Sequence, residues 1–171
     1  MKNSYWIFVP LEKKHDRSLF DCGNKELNNY LKHYAIQNDK LGINKTFVAV
    51  RSDTPVVIDG YYTISSSAID FQSLPKENKR KLPAYPVPAA LIGRLAVDVS
   101  CQGEGLGTEL LINALFRIVR ASSEIGIYAV RVDAIDERAR QFYLKHEFIS
   151  FQDSPLSLFL PIKTVKQEFE L

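Results

Sequence analysis

The stretch from Arg94 to Leu111, "RLAVDVSCQGEGLGTELL", constrains this chain more than any other. Its first half is apolar and β-branched, the composition of a buried strand. Its second half opens an amphipathic helix, with Leu106, Leu110, Leu111, Ala114, Leu115, Ile118 and Val119 on one core-facing stripe. Between them stand Gly103, Gly105 and Gly107, so the strand must pass into the helix through a turn with unusual backbone freedom. A helix N-terminus exposes about four N–H groups and roughly half a positive charge, which attracts anions and phosphates above all. One glycine would serve a tight turn. Three at this spacing predict an anion site, with Glu104 turning its carboxylate away while its N–H faces inward.

Two familiar phosphate motifs do not fit. A P-loop needs a lysine after its last glycine, and Thr108 follows Gly107 instead. A Rossmann fingerprint opens a parallel βαβ unit, whereas this turn comes mid-chain, after a meander. Strands are expected at Tyr5 to Leu11, Lys45 to Arg51, Val56 to Ser66, Ala90 to Ser100, Tyr128 to Ala134, Phe148 to Gln152 and Leu156 to Val165. Helices are expected after Asn24, with Leu27, Leu31, Tyr34 and Asn38 at helical spacing, after the glycine turn, and after Asp136. The order β-α-β-β-β-α-β-α-β-β predicts a mixed sheet with helices on its faces, an α/β (α+β) domain spanning residues 1–171.

Composition narrows the function classes. No apolar run approaches the roughly 20 residues that span a bilayer. The N-terminus lacks the pattern of a signal peptide, which predicts no membrane partner. Only Cys22 and Cys101 occur, far apart, so a reducing cytoplasm is expected and both read as small packing residues. The net charge of +2 argues against nucleic-acid binding by overall charge but allows a local patch. "KENKRK", with Lys76, Lys79, Arg80 and Lys81, is such a patch, inside a segment rich in proline. A solvated loop is the competing reading of that segment.

"QGEGLG" resembles the Q/R-x-x-G-x-G/A signature of the GNAT N-acetyltransferases. "DERARQFYLKHEF" is similar to a later helix of that family: Ala139, Phe142, Tyr143 and Phe148 match, and Glu147 stands where the family has glycine. "FDCGNKELNNYL", "LIGRLAVD" and "VDAIDERARQFY" narrow the resemblance to the acetyltransferase toxins of bacterial toxin–antitoxin pairs. The resemblance implies the GNAT acyl-CoA N-acyltransferase fold and acetyl-CoA as co-substrate, with no metal. It implies that acetyl-CoA is held by Gln102, Gly103, Glu104, Gly105, Leu106, Gly107 and Thr108, by Leu95, Ala96 and Val97, and by Asp136, Ala139 and Phe142. It further implies an aminoacyl-tRNA substrate acetylated on its α-amine, with Lys76, Lys79, Arg80 and Lys81 as the RNA-facing cations. A ribbon-helix-helix antitoxin is the implied partner, and a homodimer is one assembly it allows.

The chemistry of acyl transfer fits these residues. Backbone N–H groups at Leu95 to Val97 would polarise the thioester carbonyl, and one such donor is worth about 3–4 kcal/mol. Tyr143 is the candidate general acid for the departing thiolate, since a phenol with reference pKa about 10 is protonated at neutral pH. His15, His33 and His146 are scattered, and none stands in a dyad that would supply a base. An α-amine, with reference pKa near 8, needs less help from a base than a lysine near 10.4. Two other readings stay open: a GNAT enzyme for a small amine or a protein amine, and a non-catalytic CoA-binding module. A polyamine enzyme would need acidic side chains in its acceptor segments, and no acidic cluster is read there.

Overall fold

The computed structural model describes residues 5–170. Its strands are β1 (Trp6–Pro10), β2 (Lys45–Arg51), β3 (Thr54–Ile69), β4 (Val87–Val97), β5 (Ala129–Asp133), β6 (Ile149–Ser150) and β7 (Ser157–Pro161). Its helices are α1 (Lys25–His33), α2 (Ala35–Lys40), α3 (Lys76–Lys79), α4 (Leu106–Ala121), α5 (Glu137–Lys145) and α6 (Ile162–Glu168). The strands form one mixed sheet in the order β1-β2-β3-β4-β5-β7-β6, with β4 and β5 parallel. The chain divides into two compact units. The first comprises Met1–Ser65 and Gly93–Ala114, the second Ser66–Ile92 and Leu115–Leu171.

In the first unit β1 pairs antiparallel with β2 and β2 with β3, the latter two joined through the turn residues of "SDTP" and with a register shift at Ala49 and Val50. Their apolar residues and α1 enclose a core of Leu11, Phe20, Tyr30, Leu31, Ala35, Val48, Val50, Ile58, Tyr61 and Ala96. Asn24 caps α1 as expected, accepting from the Leu27 N–H at 3.0 Å. The single helix expected over Leu27 to Asn38 is instead two. Tyr34 leaves helical geometry (φ −121°, ψ −29°) and stacks its ring on Tyr30 at 6.4 Å. No glycine or proline marks that break, so propensity gave no warning.

The whole expected stripe of α4 is buried. Its first turns sit so close to β3 that a Cβ on Gly60 would lie 2.8 Å from Leu110 Cδ1 and 3.0 Å from the Ala96 carbonyl oxygen. The leucine can rotate away; the backbone carbonyl cannot.

In the second unit β5 and β7 pair antiparallel, and Phe151 stacks on Phe159 at 5.1 Å within a core that includes Ile69, Leu74, Val87, Ala89 and Ala129. Three expectations are corrected here and at the end of β4. The strand expected to reach Ser100 stops at Val97, because Asp98 caps a short 3-10 turn by accepting from the Ser100 N–H at 2.9 Å. The strand expected at Phe148 to Gln152 is reduced to Ile149–Ser150. The strand expected over Leu156 to Val165 ends at Pro161, and α6 follows. Ile162, Thr164 and Val165 read as β-branched strand, yet Val165 is buried and Phe169 packs edge-on against Phe116 at 6.1 Å. Helical geometry buries Val165 and brings Phe169 at the helix end against Phe116, and that packing outweighs the β propensity.

Replacing Gly60 by alanine is expected to destabilise the protein by about 1–3 kcal/mol, the usual cost of overpacking a filled core. The midpoint of urea unfolding checks this; an unchanged midpoint would show that β3 and α4 have room to part.

Candidate acetyl-transfer site

The glycine turn lies wholly in the first unit. Gly103 and Gly105 have φ of +82° and +86°, the left-handed region that L side chains avoid. A Cβ on either would meet nothing within 4 Å, so the two positions form an open cradle at the start of α4. The Gly105 carbonyl accepts from the Glu109 N–H at 3.2 Å, which sets Gly105 at the helix entry. Leu106 buries its side chain, leaving only its backbone for a ligand, while Gln102, Gly103, Glu104 and Gly105 are exposed.

One side chain and two backbone N–H groups fasten this turn to its surroundings. Gln102 Nε2 donates to the carbonyls of Val97 (3.0 Å) and Cys22 (3.1 Å), tying the turn to the end of β4. The Asp98 N–H donates to the Asp59 carbonyl at 2.8 Å, and the Val99 N–H to the Asp21 carbonyl at 2.8 Å. Ala96 is buried; Leu95 and Val97 are half-buried beside it on β4.

Glu104 is accounted for by a network that sequence reasoning missed. Arg51 Nε donates to the buried Asp59 carboxylate at 2.8 Å, and Trp6 Nε1 donates to the same oxygen at 3.0 Å. The guanidinium lies 3.6 Å from Glu104 and 3.6 Å from Cys101 Sγ. These hydrogen bonds push the Arg51 pKa further above its ordinary value, so it is a permanent cation beside the turn. It offsets the Glu104 charge, as an anion site requires. Nothing in the sequence links residues 6, 51, 59 and 104, which the sheet register brings together.

Tyr143 belongs to the second unit. Asp136 caps α5, accepting from the Ala139 N–H at 2.8 Å, as the sequence predicts. Ala139 and Phe142 are half-buried on that helix. The Tyr143 ring is held edge-on by Phe142 (5.2 Å) and Phe148 (5.4 Å). Its burial pushes the phenol pKa well above the ordinary value, which keeps it protonated. A buried tyrosine hydroxyl normally finds a partner, yet among the described residues none hydrogen-bonds to this one. Glu147, in the glycine position of the resemblance, adopts φ +69°. The Phe148 N–H bonds the Tyr143 carbonyl and the Glu147 N–H the Leu144 carbonyl, both at 3.2 Å. That is a Schellman cap made without glycine, with the Tyr143–Phe148 contact as its apolar clasp.

The three histidines have different surroundings. His15 is buried, its Nδ1 accepts from the Glu12 N–H at 2.9 Å, and burial lowers its pKa. His33 is exposed, whereas His146 is half-buried against Phe142 rather than on the surface. Burial also raises the Cys22 pKa, which agrees with a packing role. Among the described residues no group of three His, Cys, Asp or Glu is placed to hold a metal.

Lys76, Lys79, Arg80 and Lys81 lie on and just after the single turn of α3, in the second unit. Lys76, Arg80 and Lys81 are exposed, and Lys79 Nζ sits 5.6 Å over the Phe71 ring. A second basic surface escaped the sequence reading. Lys13, Lys14, Arg17, Lys32 and His33 line a groove of about 520 Å³ in the first unit. "EKKHDR" mixes both signs and conceals it. A smaller pocket of about 180 Å³ brings together Asp16, Asp59 and Asp98, the acidic grouping not read from the sequence. Each of these carboxylates is engaged: by Ser18, by Arg51 and Trp6, and by Ser100 and the Asp21 N–H respectively.

A cradle of left-handed glycines at a helix N-terminus, next to a strand that ends at Val97, invites comparison with known acyltransferases. The Acetyltransferase (GNAT) domain family matches residues 43–150. The chain belongs to the GNAT acetyltransferases. It is 36% identical over 151 residues to the tRNA-acetylating toxin of Mycobacterium tuberculosis, covering 88% of this chain and 89% of the relative. It is 33% identical to the probable toxin TacT of Sinorhizobium fredii, over 94% of this chain and 93% of that one. Among solved structures, a tyrosine-to-phenylalanine mutant of KacT superposes with a TM-score of 0.92 at 33% identity, covering 96% of this chain and 99% of that one. AtaT complexed with acetyl-methionyl-tRNAfMet gives 0.90 at 30%, with the same coverage of 96% and 99%. A mutant AtaT bound to the C-terminus of the antitoxin AtaR and acetyl-CoA gives 0.83 at 26%, covering 98% and 99%. Among the described residues no helix is long and apolar enough to cross a membrane.

Proposed function

We propose that this chain acts as one acetyl-CoA-dependent N-acetyltransferase domain that modifies the α-amine of aminoacyl-tRNA and thereby blocks translation. The observation that carries the reading is the 36% identity to a tRNA-acetylating toxin along most of both chains. The structural likeness to AtaT with acetyl-methionyl-tRNAfMet supports the same substrate class. By analogy with AtaT bound to AtaR, the partner is an antitoxin; the motif resemblance of the sequence adds the ribbon-helix-helix type and action in the cytoplasm.

The open cradle at Gly103 and Gly105 fits the pyrophosphate of acetyl-CoA, because a backbone without Cβ atoms lets phosphate oxygens reach the N–H groups of Gly105 to Thr108. Gln102 positions that turn rather than touching the ligand through its amide nitrogen, which two carbonyls already occupy. Leu95, Ala96 and Val97 offer backbone N–H groups to the acyl carbonyl. Asp136, Ala139 and Phe142 of α5 are the further acetyl-CoA contacts that the family resemblance implies. Acetyl-CoA supplies the acetyl group as a thioester. The acceptor nitrogen bonds to the carbonyl carbon, the C–S bond breaks, and the nitrogen loses a proton as the sulfur gains one.

Tyr143 serves the departing sulfur. Its free hydroxyl and raised pKa make it a steady O–H donor to a thiolate at neutral pH. An α-amine that is already partly neutral needs little help from a base. Lys76, Lys79, Arg80 and Lys81 are proposed to meet RNA phosphates. The polyamine alternative gains little from the acidic pocket, since its carboxylates are engaged within the protein.

Three measurements test this reading. Gly105→Val should weaken acetyl-CoA binding at least tenfold in calorimetry, because a branched residue both resists the left-handed geometry and fills the cradle. Unchanged affinity would remove the turn from the cofactor site. Tyr143→Phe should hold acetyl-CoA affinity within a few-fold while lowering turnover by roughly 10²-fold or more; turnover near wild type would mean that the thiolate is protonated by water. Radiolabelled acetyl should pass to charged tRNA and not to periodate-treated tRNA or lysine peptides. In that assay, alanine at Lys79, Arg80 and Lys81 together should raise the KM for tRNA and flatten its salt dependence, by about 0.7–0.9 in log–log slope per lost phosphate contact. The KM for acetyl-CoA should barely change. Lysine peptides labelled as fast as charged tRNA would replace the toxin reading with a general N-acetyltransferase.

A further inference from the structure

Arg94 stands in "LIGRLAVD" on β4, and neither the core nor the chemistry described so far uses its charge. Its guanidinium carbon lies 3.5 Å from the centroid of the Tyr30 ring, a close face-on stack. Tyr30 is a rigid platform: it is buried, and its hydroxyl donates to Asn44 Oδ1 at 2.9 Å and accepts from Asn38 Nδ2 at 3.4 Å. A guanidinium held by its face keeps its N–H donors in plane at the edge, pointing away from the ring. Arg94 is half-buried, yet none of the described residues accepts a hydrogen bond from it or pairs with it as a carboxylate. A fixed fork whose donors reach solvent and have no acceptor among the described residues is open to an oxyanion from outside the chain.

Position selects which oxyanion. Arg94 directly precedes Leu95 to Val97, so along an extended strand it lies roughly 3–10 Å from the backbone proposed to hold the acyl carbonyl. At the reacting end of an aminoacylated RNA the α-amine carries positive charge or none, and the ester and ribose are neutral. Whatever the amino acid, the phosphodiesters of the terminal nucleotides are anionic, whereas a carboxylate is present only on an acidic aminoacyl group. The phosphates of acetyl-CoA have their own cradle at Gly103 and Gly105.

We propose that Arg94, braced on Tyr30, is a phosphate-binding residue that grips a phosphodiester in the single-stranded 3′ end of the acceptor RNA and so sets the depth at which the aminoacyl group enters. This rests on the reading of the chain as an RNA-directed acetyltransferase. It adds a contact from the first unit to those proposed for the α3 cations.

The test is fluorescence anisotropy of the full chain with a labelled acceptor-stem RNA ending in single-stranded CCA, from 50 to 200 mM salt, beside calorimetry with acetyl-CoA. Arg94→Met keeps an apolar stem over Tyr30 and should weaken RNA binding about tenfold, lowering the log–log salt slope by about 0.7, the value for one single-strand phosphate. Arg94→Lys retains the charge but not the planar fork, so it should keep the slope while losing about threefold or more in affinity. Acetyl-CoA affinity should stay within twofold of wild type in both. RNA affinity and slope equal to wild type in the methionine variant would overturn the proposal. So would a fall in acetyl-CoA affinity matching the fall for RNA, or wild-type protein that does not bind the RNA. If the methionine variant does not fold, the lysine variant decides, since undiminished RNA affinity there would exclude a bidentate contact. Wild-type protein that shows this Arg94-dependent RNA binding but acetylates no charged tRNA would overturn the proposed function and leave the phosphate contact standing.

Discussion

Two consecutive residues of β3 govern the glycine turn. Gly60, having no side chain, lets Leu106 and Leu110 of α4 seat directly against the strand. Asp59, its neighbour, accepts from the Asp98 N–H through its carbonyl and receives Arg51 and Trp6 on its carboxylate. One residue thus sets where the helix begins and the other where the preceding strand stops. The turn between them has little freedom left. Its left-handed glycines are held open rather than merely able to open, which is the preorganisation that anion binding rewards.

The same neighbourhood resolves a conflict of charge. An acidic residue inside an anion-binding turn works against the helix dipole unless its charge is met elsewhere. Arg51 supplies that counter-charge while anchored to a carboxylate that is itself buried. The exposed Arg51–Glu104 contact contributes little to stability on its own. Its importance lies in meeting the Glu104 charge beside the turn.

Around Tyr143, local and tertiary forces agree. The Schellman cap closes α5, and its apolar clasp holds Tyr143 against Phe148. Glu147 accepts a left-handed φ at a cost of about 1–2 kcal/mol relative to a relaxed L-residue. The ring is therefore fixed by packing while the hydroxyl has no structural employment, an arrangement that suits chemistry better than core filling.

Much of this was legible in the chain. The α4 stripe, the caps Asn24 and Asp136, the hairpin of β2 and β3 and the glycine turn are all local patterns, written in spacing within a few residues of one another. Family membership was legible for the same reason, because its motifs are short and contiguous. The helix break at Tyr34, the helix α6 and the shortened β6 were not, since each depends on which aromatic or apolar neighbour a residue meets across the fold. So too with Arg51 beside Glu104, Arg94 on Tyr30 and the groove of Lys13, Lys14, Arg17 and Lys32. Sequence determined most of the segments that form elements and where the glycine-rich turn stands between strand and helix. Tertiary structure decided which charges stand together and which remain without a partner, because sheet register and helix packing join residues that lie dozens of positions apart.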